Sequence, residues 1–389
     1  MKICIITHTV NQGDGQGRVN YEVVMEVLRR GYRVTLLASH IAPELKQHPK
    51  VDWIAIPVAR YPTELLRNLI FSSKSANWLQ ANRDKFDLVK TNGAITSAAA
   101  DFNVAHFIHG TWLKSRAHTF HAHRNFYGLY QWLYTKLNAH WEKQSFHQAN
   151  VVIAVSQGAA DELQAIGIPA GKVKVIFNGV DIEEFTPSNP QRSRLQLPEA
   201  VPLALFTGDI KTPRKNLDTV LQALIQVPSL HLAIAGSRQG SPYPQMAHQL
   251  GIQDRIHFLG YRQDIPALMS ACDFFIFPSH YETFGLVVLE AMACGLPVIT
   301  ASTVGAHSLV TPDCGYVLVD PNDVEALTKA LQALTASPHL RRIMGMAART
   351  IAEKNSWRHM ARQYLSLFED AYFNQANYLR TLKNEQIQC

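Results

Sequence analysis

The 389-residue chain is predicted to fold as two doubly wound α/β domains facing each other across a cleft, with a closing helix that crosses back to the first domain. Three observations carry this. At 47% hydrophobic and 17% charged, the composition is that of a globular protein long enough for two cores. Two series of short β-branched runs each lead into a glycine-containing loop and then an amphipathic helix, the grammar of parallel sheets. Between them, Thr186 to Pro202 holds Pro187, Pro190, Pro198 and Pro202 without a periodic apolar face, which marks a linker.

The first series opens with a strand at Lys2 to Ile6, followed by a helix from Val19 to Arg30 that Gly31 stops, and then a strand at Arg33 to Ala38. Further strands are expected at Trp53 to Pro57, Phe86 to Lys90, Val104 to Ile108, Val151 to Val155 and Val173 to Ile176. The second series opens at Leu203 to Thr207. It continues through Leu230 to Ala235, Arg255 to Phe258, Phe274 to Phe277, Pro297 to Thr300 and Tyr316 to Val319. Near the end Trp357, Ala361, Leu365, Phe368 and Tyr372 recur at steps of three or four, giving one long amphipathic helix. The domains are accordingly set at 1–186 and 187–365, with 366–389 returning to the first.

Charge excludes some functions. The net charge of +6 is too small to indicate nucleic-acid binding. Residues 1–186 carry 20 basic and 15 acidic side chains and the remainder 17 and 16, so the excess sits in the first domain. Cys4, Cys272, Cys294, Cys314 and Cys389 are odd in number and lack C-x-x-C spacing, which suggests neither a disulfide framework nor a cysteine zinc site and fits a reducing compartment. No apolar run reaches the roughly 18 residues of a membrane span, and Met1 to Val10 reads as a strand rather than a leader. A soluble or peripherally bound protein is expected.

In doubly wound folds ligands bind at the carboxyl ends of the strands, so loops there are candidate sites. After Phe274 to Phe277 comes Pro278-Ser279-His280-Tyr281-Glu282-Thr283-Phe284-Gly285-Leu286, then a helical run to Cys294. A helix starting near Phe284 leaves the amides of Phe284, Gly285, Leu286 and Val287 unpaired, an anion site suited to phosphate. Glu290 lies about 9 Å further along at the usual helical rise, within reach of a sugar hydroxyl. In Gly208-Asp209-Ile210-Lys211-Thr212-Pro213-Arg214-Lys215-Asn216, Thr212 and Pro213 read as the cap and first residue of a helix. Arg214 and Lys215 then oppose its dipole, which makes sense beside a bound anion. His109 follows a strand in the first domain, and the loop Gly13 to Arg18, with Gly15 and Gly17, is a candidate phosphate or acceptor seat. That loop is not G-x-G-x-x-G, and Leu37-Ala38-Ser39-His40 lacks the acidic residue of a dinucleotide site, which disfavours an NAD enzyme.

Glu282 and Glu290 flank F-G-L and E-A-M-A-C-G-L-P-V-I, a passage that resembles the signature of retaining glycosyltransferases of family 4 with the GT-B fold of two Rossmann-like domains. Asn178-Gly179-Val180-Asp181 with Phe185 and Pro187 is similar to a second family element, and Val155-Ser156 and Trp357 match weaker positions. The resemblance implies that His109 and Glu282 contact the transferred sugar. It implies further that Phe284 to Val287 and Lys215 hold the donor diphosphate, that Glu290 binds the ribose, and that Tyr261 and Arg262 lie by the base. Where the family has an arginine directly after the glycine, this chain has Asp209, leaving Lys211 or Arg214 to substitute.

No D-x-D occurs, and His118, His121 and His123 have no neighbouring carboxylate or cysteine, so metal-independent transfer is expected, with a nucleotide-diphosphate sugar as co-substrate and no other cofactor. Residues 111 to 147 interleave nine aromatic residues, Trp112, Trp132 and Trp141 among them, with Lys114, Arg116, Arg124, Lys136 and Lys143 against Glu142 alone. Such a segment suits a glycan or lipid-linked acceptor, at Trp112, Lys114 and Arg116, or an anionic membrane surface on the cytoplasmic side; its alternative is an aromatic helix face packed in the core. The leading expectation is a hexosyltransferase of cell-surface polysaccharide or glycolipid synthesis. The alternatives are an inactive donor- or partner-binding subunit, motivated by Asp209, and a nucleotide-sugar epimerase on the same fold.

Overall fold

The computed structural model describes residues 1–13, 15–115, 117–122 and 125–387. Two parallel sheets organise it. The first comprises β1 (Lys2–Ile6), β2 (Arg33–Ala38), β3 (Val51–Ala55), β4 (Leu88–Asn92), β5 (Phe102–Ala105), β6 (Val151–Ala154) and β7 (Val173–Val175), in spatial order β3-β2-β1-β4-β5-β6-β7. The second comprises β8 (Leu203–Thr207), β9 (His231–Ala235), β10 (Ile256–Gly260), β11 (Phe274–Phe277), β12 (Val298–Ala301) and β13 (Gly315–Leu318), in order β10-β9-β8-β11-β12-β13. Each sheet starts at its middle, runs to one edge and jumps back past its first strand. The jump opens a crevice at the carboxyl ends, between β1 and β4 and between β8 and β11.

Central strands are apolar throughout because helices cover both faces: Ile3 to Ile6 and Leu203 to Phe206 are fully buried. The strands Lys2–Ile6, Arg33–Ala38, Leu203–Thr207 and Phe274–Phe277 coincide with the expected ranges; the others differ by one to three residues, most at β5, which ends at Ala105 because His106 to Ile108 turn into the short helix His109–Trp112. The helices that bear on the site are α1 (Gly15–Arg29), α2 (Glu64–Gln80), α3 (Phe126–Gln148), α4 (Leu217–Ile225), α5 (Leu286–Ala293) and α6 (Trp357–Ile387). Helix α1 begins at Gly15 rather than Val19. Gly15 and Gly17 thus lie in its first turn and not in a loop, and a Cβ on Gly15 would sit 3.0 Å from Leu286 of the second domain.

The linker is not loose. Arg192 fastens it to the second domain, donating to the carbonyls of Ala271 and Val201, each at 2.8 Å, and pairing with Asp273 at 3.1 Å. The return to the first domain occurs at Asn355–Trp357, where Val180 and Trp357 exchange backbone hydrogen bonds with that stretch, so the boundary expected at 365/366 falls inside α6. Met360, Ala361, Tyr364, Leu365 and Phe368 of α6 are buried in one core with α1, and Phe368 meets Phe102 edge-on at 4.8 Å. Gly179 permits this crossing because a Cβ there would lie 2.4 Å from the Trp357 nitrogen. Gly179→Ala is expected to cost about 1–3 kcal/mol, the usual overpacking penalty, read as a lower midpoint in urea. Among the described residues no helix is long and apolar enough to cross a membrane.

Candidate active site

The β8–α4 and β11–α5 loops are fastened to each other. Arg214 carries its carbonyl to the His280 amide at 2.8 Å and to the Ser279 hydroxyl at 3.0 Å. Asn216 adopts a left-handed backbone (φ 61°), which asparagine tolerates, and its buried amide donates to the carbonyls of Pro278 and Pro321 at 3.0 and 2.7 Å. This tie corrects the sequence expectation. Pro213–Lys215 is a single 3₁₀ turn ending at Asn216, so Arg214 and Lys215 precede α4 rather than begin a helix. Their cations converge on Glu282: Lys215 Nζ hydrogen-bonds its Oε1, Arg214 stands 3.5 Å away, and the Ser279 hydroxyl donates at 3.2 Å. Burial pulls the Lys215 ammonium below its ordinary pKa, with Glu282 opposing.

Helix α5 starts at Leu286, two residues later than expected, with Gly285 as its cap at φ 90°; a Cβ there would come within 2.7 Å of Val304. The amides of Phe284, Gly285, Leu286 and Val287 have no backbone acceptor among the described residues, Val288 being the first that is bonded. They are an anion seat next to two cations.

Beside them lies a cavity of about 550 Å³ lined by Gly208, Lys211, Tyr261, Arg262, Val287 and Glu290, with Glu184 at its rim. Tyr261 is 79% exposed, while Arg262 is held in a two-point pair by Asp264, at 2.7 and 2.5 Å. Among the described residues Glu290 has no ion-pair partner. Burial, and then repulsion from Glu184, pushes its pKa from 4.5 to about 7 against the pull of Arg18. Between these values the folded protein holds more protons than the unfolded chain, so stability falls as pH rises through the window and the deficit is complete above about 7. Glu290→Gln is therefore expected to raise Tm more at pH 8 than at pH 5, a gain that differential scanning calorimetry reads directly.

In the first domain, His109 caps the carboxyl end of the sheet. Glu142, 1% exposed and 33 positions along the chain on α3, accepts from the His109 ring at Nδ1 (2.7 Å) and from the Gly110 amide (3.0 Å). This leaves Nε2 as the ring nitrogen not engaged by Glu142. The second domain docks directly here. Tyr281, the residue before Glu282, donates to Glu162 at 3.0 Å and stacks on Trp112 with centroids 5.5 Å apart. The Thr283 hydroxyl donates to the His106 carbonyl at 2.5 Å, and the Ser156 hydroxyl to the Thr283 carbonyl at 2.6 Å. The Glu282 loop and the His109 loop thus meet across the cleft.

Residues 188–351 match the family described as glycosyl transferases group 1, and residues 13–184 match glycosyltransferase family 4. The chain belongs to the family-4 glycosyltransferases. Its sequence is 32% identical to the D-inositol 3-phosphate glycosyltransferase of Xylanimonas cellulosilytica over 247 residues, a stretch covering 59% of each protein. The same fold, GT-B, is seen in the sucrose-phosphate synthase of Thermosynechococcus elongatus (TM-score 0.78, 22% identity, covering 96% of this chain and 99% of that one). It recurs in Anabaena HepE, whose structure was determined in complex with UDP-glucose (TM-score 0.71, 22% identity, 95% and 100%).

Within this family-4 chain, the acceptor residues expected in the first domain are redistributed. Trp112 is buried between Tyr281 and His118, so it serves the domain junction and not a bound sugar. Lys114 is exposed, and Arg116 lies outside the described residues. His118 is buried and bonded to Thr135 at 3.0 Å, and no cluster of three metal-ligating side chains occurs among the described residues. Sequence reasoning missed Glu142, Tyr281, Thr283 and Asn216, whose partners lie in distant loops. It missed Lys90 as well, fully buried in β4, bonded to Asn20 and to Asn92 (2.8 Å), and depressed by burial to a pKa of about 7. A lysine inside the strand Leu88–Asn92, every residue of which is buried, was the available signal.

Proposed function

We propose that this protein is a retaining, metal-independent hexosyltransferase that moves sugar from a nucleotide diphosphate donor to a glycan or lipid-linked glycan. One observation carries the reading: two cations, four free amides and a carboxylate-bearing cavity lie side by side on one domain, facing an oriented histidine on the other. The nucleoside occupies the cavity, with Glu290 accepting from the ribose hydroxyls. The diphosphate sits on the amides of Phe284 to Val287 and draws Lys215 and Arg214 toward itself, which frees Glu282 for the hydroxyls of the transferred sugar. Lys211, on the cavity wall, supplies charge where Asp209 stands. HepE, the neighbour bound to UDP-glucose, supports a UDP-sugar as donor.

The sugar's bond to the diphosphate oxygen breaks as the acceptor oxygen bonds to the same carbon from the same face, and the acceptor's proton passes to the departing phosphate. His109 Nε2 steadies the sugar at that carbon. Metal is unnecessary in this scheme because fixed donors and cations already meet the charge that develops on the leaving group.

A screen of UDP, GDP and ADP sugars tests the donor site, since a ligand at 100 times its Kd adds about 2.7 kcal/mol of stability. Stabilisation by one base is expected, and silence from all three would favour the inactive subunit. Product NMR then checks the chemistry. Retained anomeric configuration with activity unaffected by EDTA is expected; inversion, or conversion of donor without acceptor, would replace the reading.

A further inference from the structure

A trough leads away from His109 between α2 and α3. Its near end is a hollow of about 260 Å³ that includes His109, Glu142 and Tyr134, and its far end one of about 380 Å³. Asn68, Ala94 and Asn138 line both hollows, so the two adjoin. One side of α3 walls the whole length. Tyr134, Asn138, Trp141, Ser145 and Gln148 recur at steps of four and three, which keeps them on one face over about 21 Å of helix. Helix α2 faces them with Ser72, Ser73 and Asn77, and the loop after β4 forms the floor.

The chemistry of the far hollow differs from that of the donor side. The donor cavity is lined by Lys211 and Arg262 together with Glu184, Asp209 and Glu290, whereas no residue lining the far hollow is ionisable. Its walls are amides and hydroxyls with one indole and the aliphatic side chains of Leu69, Ala76 and Ala94. Amides and hydroxyls both donate and accept, which matches a ligand rich in hydroxyls, and the Trp141 ring offers apolar surface to the C–H side of a pyranose. A carboxylate or phosphate brought here would lose water without gaining a cation. Lys136, one basic residue of the segment, lies over the Trp132 ring at 4.8 Å and does not line the far hollow.

Resting on the glycosyltransferase reading, we propose that this trough is the acceptor channel behind the reacting sugar. It takes a neutral oligosaccharide, laid from His109 toward Gln148.

The test uses the full chain with ligand-observed NMR. The probes are neutral gluco-, galacto- and manno-oligosaccharides of two and four units, and oligogalacturonate as the anionic counterpart. At least one neutral tetrasaccharide is expected to bind more tightly than its disaccharide, and oligogalacturonate to bind weakly or not at all. Trp141→Ala should weaken the neutral ligand about tenfold, the effect of one anchoring side chain. Ser73→Trp, at an exposed wall position, blocks the trough without touching the core and should abolish that binding. Both variants should keep the thermal response to the nucleotide sugar. Preference for the anionic chain, neutral binding unaffected by Ser73→Trp, or no neutral binding while the donor response persists would each overturn the proposal. Loss of the donor response in the unmodified protein would strike the enzymatic reading instead, and the block by Ser73→Trp would still decide the trough.

Discussion

Lys215→Met is expected to lower kcat/KM by about 10²–10³-fold, the range seen when one fixed donor to a developing anion is removed. The loss should appear in both the donor KM and kcat, because in the proposed mode the cation holds the diphosphate before and after the bond breaks. Stability should fall as well. In the free protein Lys215 is hydrogen-bonded to Glu282, both side chains are only 13–15% exposed, and hydrogen bonds to charged groups are worth about 1.5–3 kcal/mol. Arg214 at 3.5 Å and the Ser279 hydroxyl soften that loss without replacing it. Adding Glu282→Gln removes the stranded carboxylate, so Lys215→Met/Glu282→Gln should recover much of the lost stability and none of the activity. Urea unfolding and steady-state kinetics on the three variants separate the two roles. A Lys215→Met protein with full transfer activity would remove the diphosphate from this place.

The second large effect is expected at His109 and its buried partner. His109→Ala should lower kcat by about 10²–10³-fold if Nε2 faces the reacting sugar. Glu142 acts through the ring and through the Gly110 amide, so it is a positioning residue. Glu142→Gln retains an acceptor for the ring Nδ1–H but presents a second donor to Gly110, a conflict costing about 1–3 kcal/mol in a fully buried site. Its activity should fall in kcat with the donor KM unchanged. An unchanged kcat would show that Glu142 only packs.

The sequence passage around Glu282 and Glu290 was legible because local order sufficed. A strand, a tight loop and an apolar helix follow one another, and the register of α5 brings Glu290 to the cavity while Val288, Leu289 and Met292 face the core. The expected start of that helix was two residues early because Gly285 was read as part of the first turn, whereas its left-handed backbone caps it. The loop expected at Gly13 to Arg18 failed for a related reason. Glycines argued for a loop, but at a helix start they cost little and allow Leu286 to come close.

What the sequence determined by itself was the pair of parallel sheets, the linker between them, the long returning helix and the donor loops, since each depends on periodicity and on residues within one turn of each other. Tertiary structure alone decided what those loops face. Glu142 looked like the lone acid in a basic stretch and is the hydrogen-bond partner of His109; Trp112 looked like a sugar platform and is buried against Tyr281. The cause is the same in both cases. A buried charge or ring is defined by the partner that replaces water, and here that partner lies 33 or more positions away, brought near by folding within the first domain for Glu142 and by the docking of the second domain for Trp112.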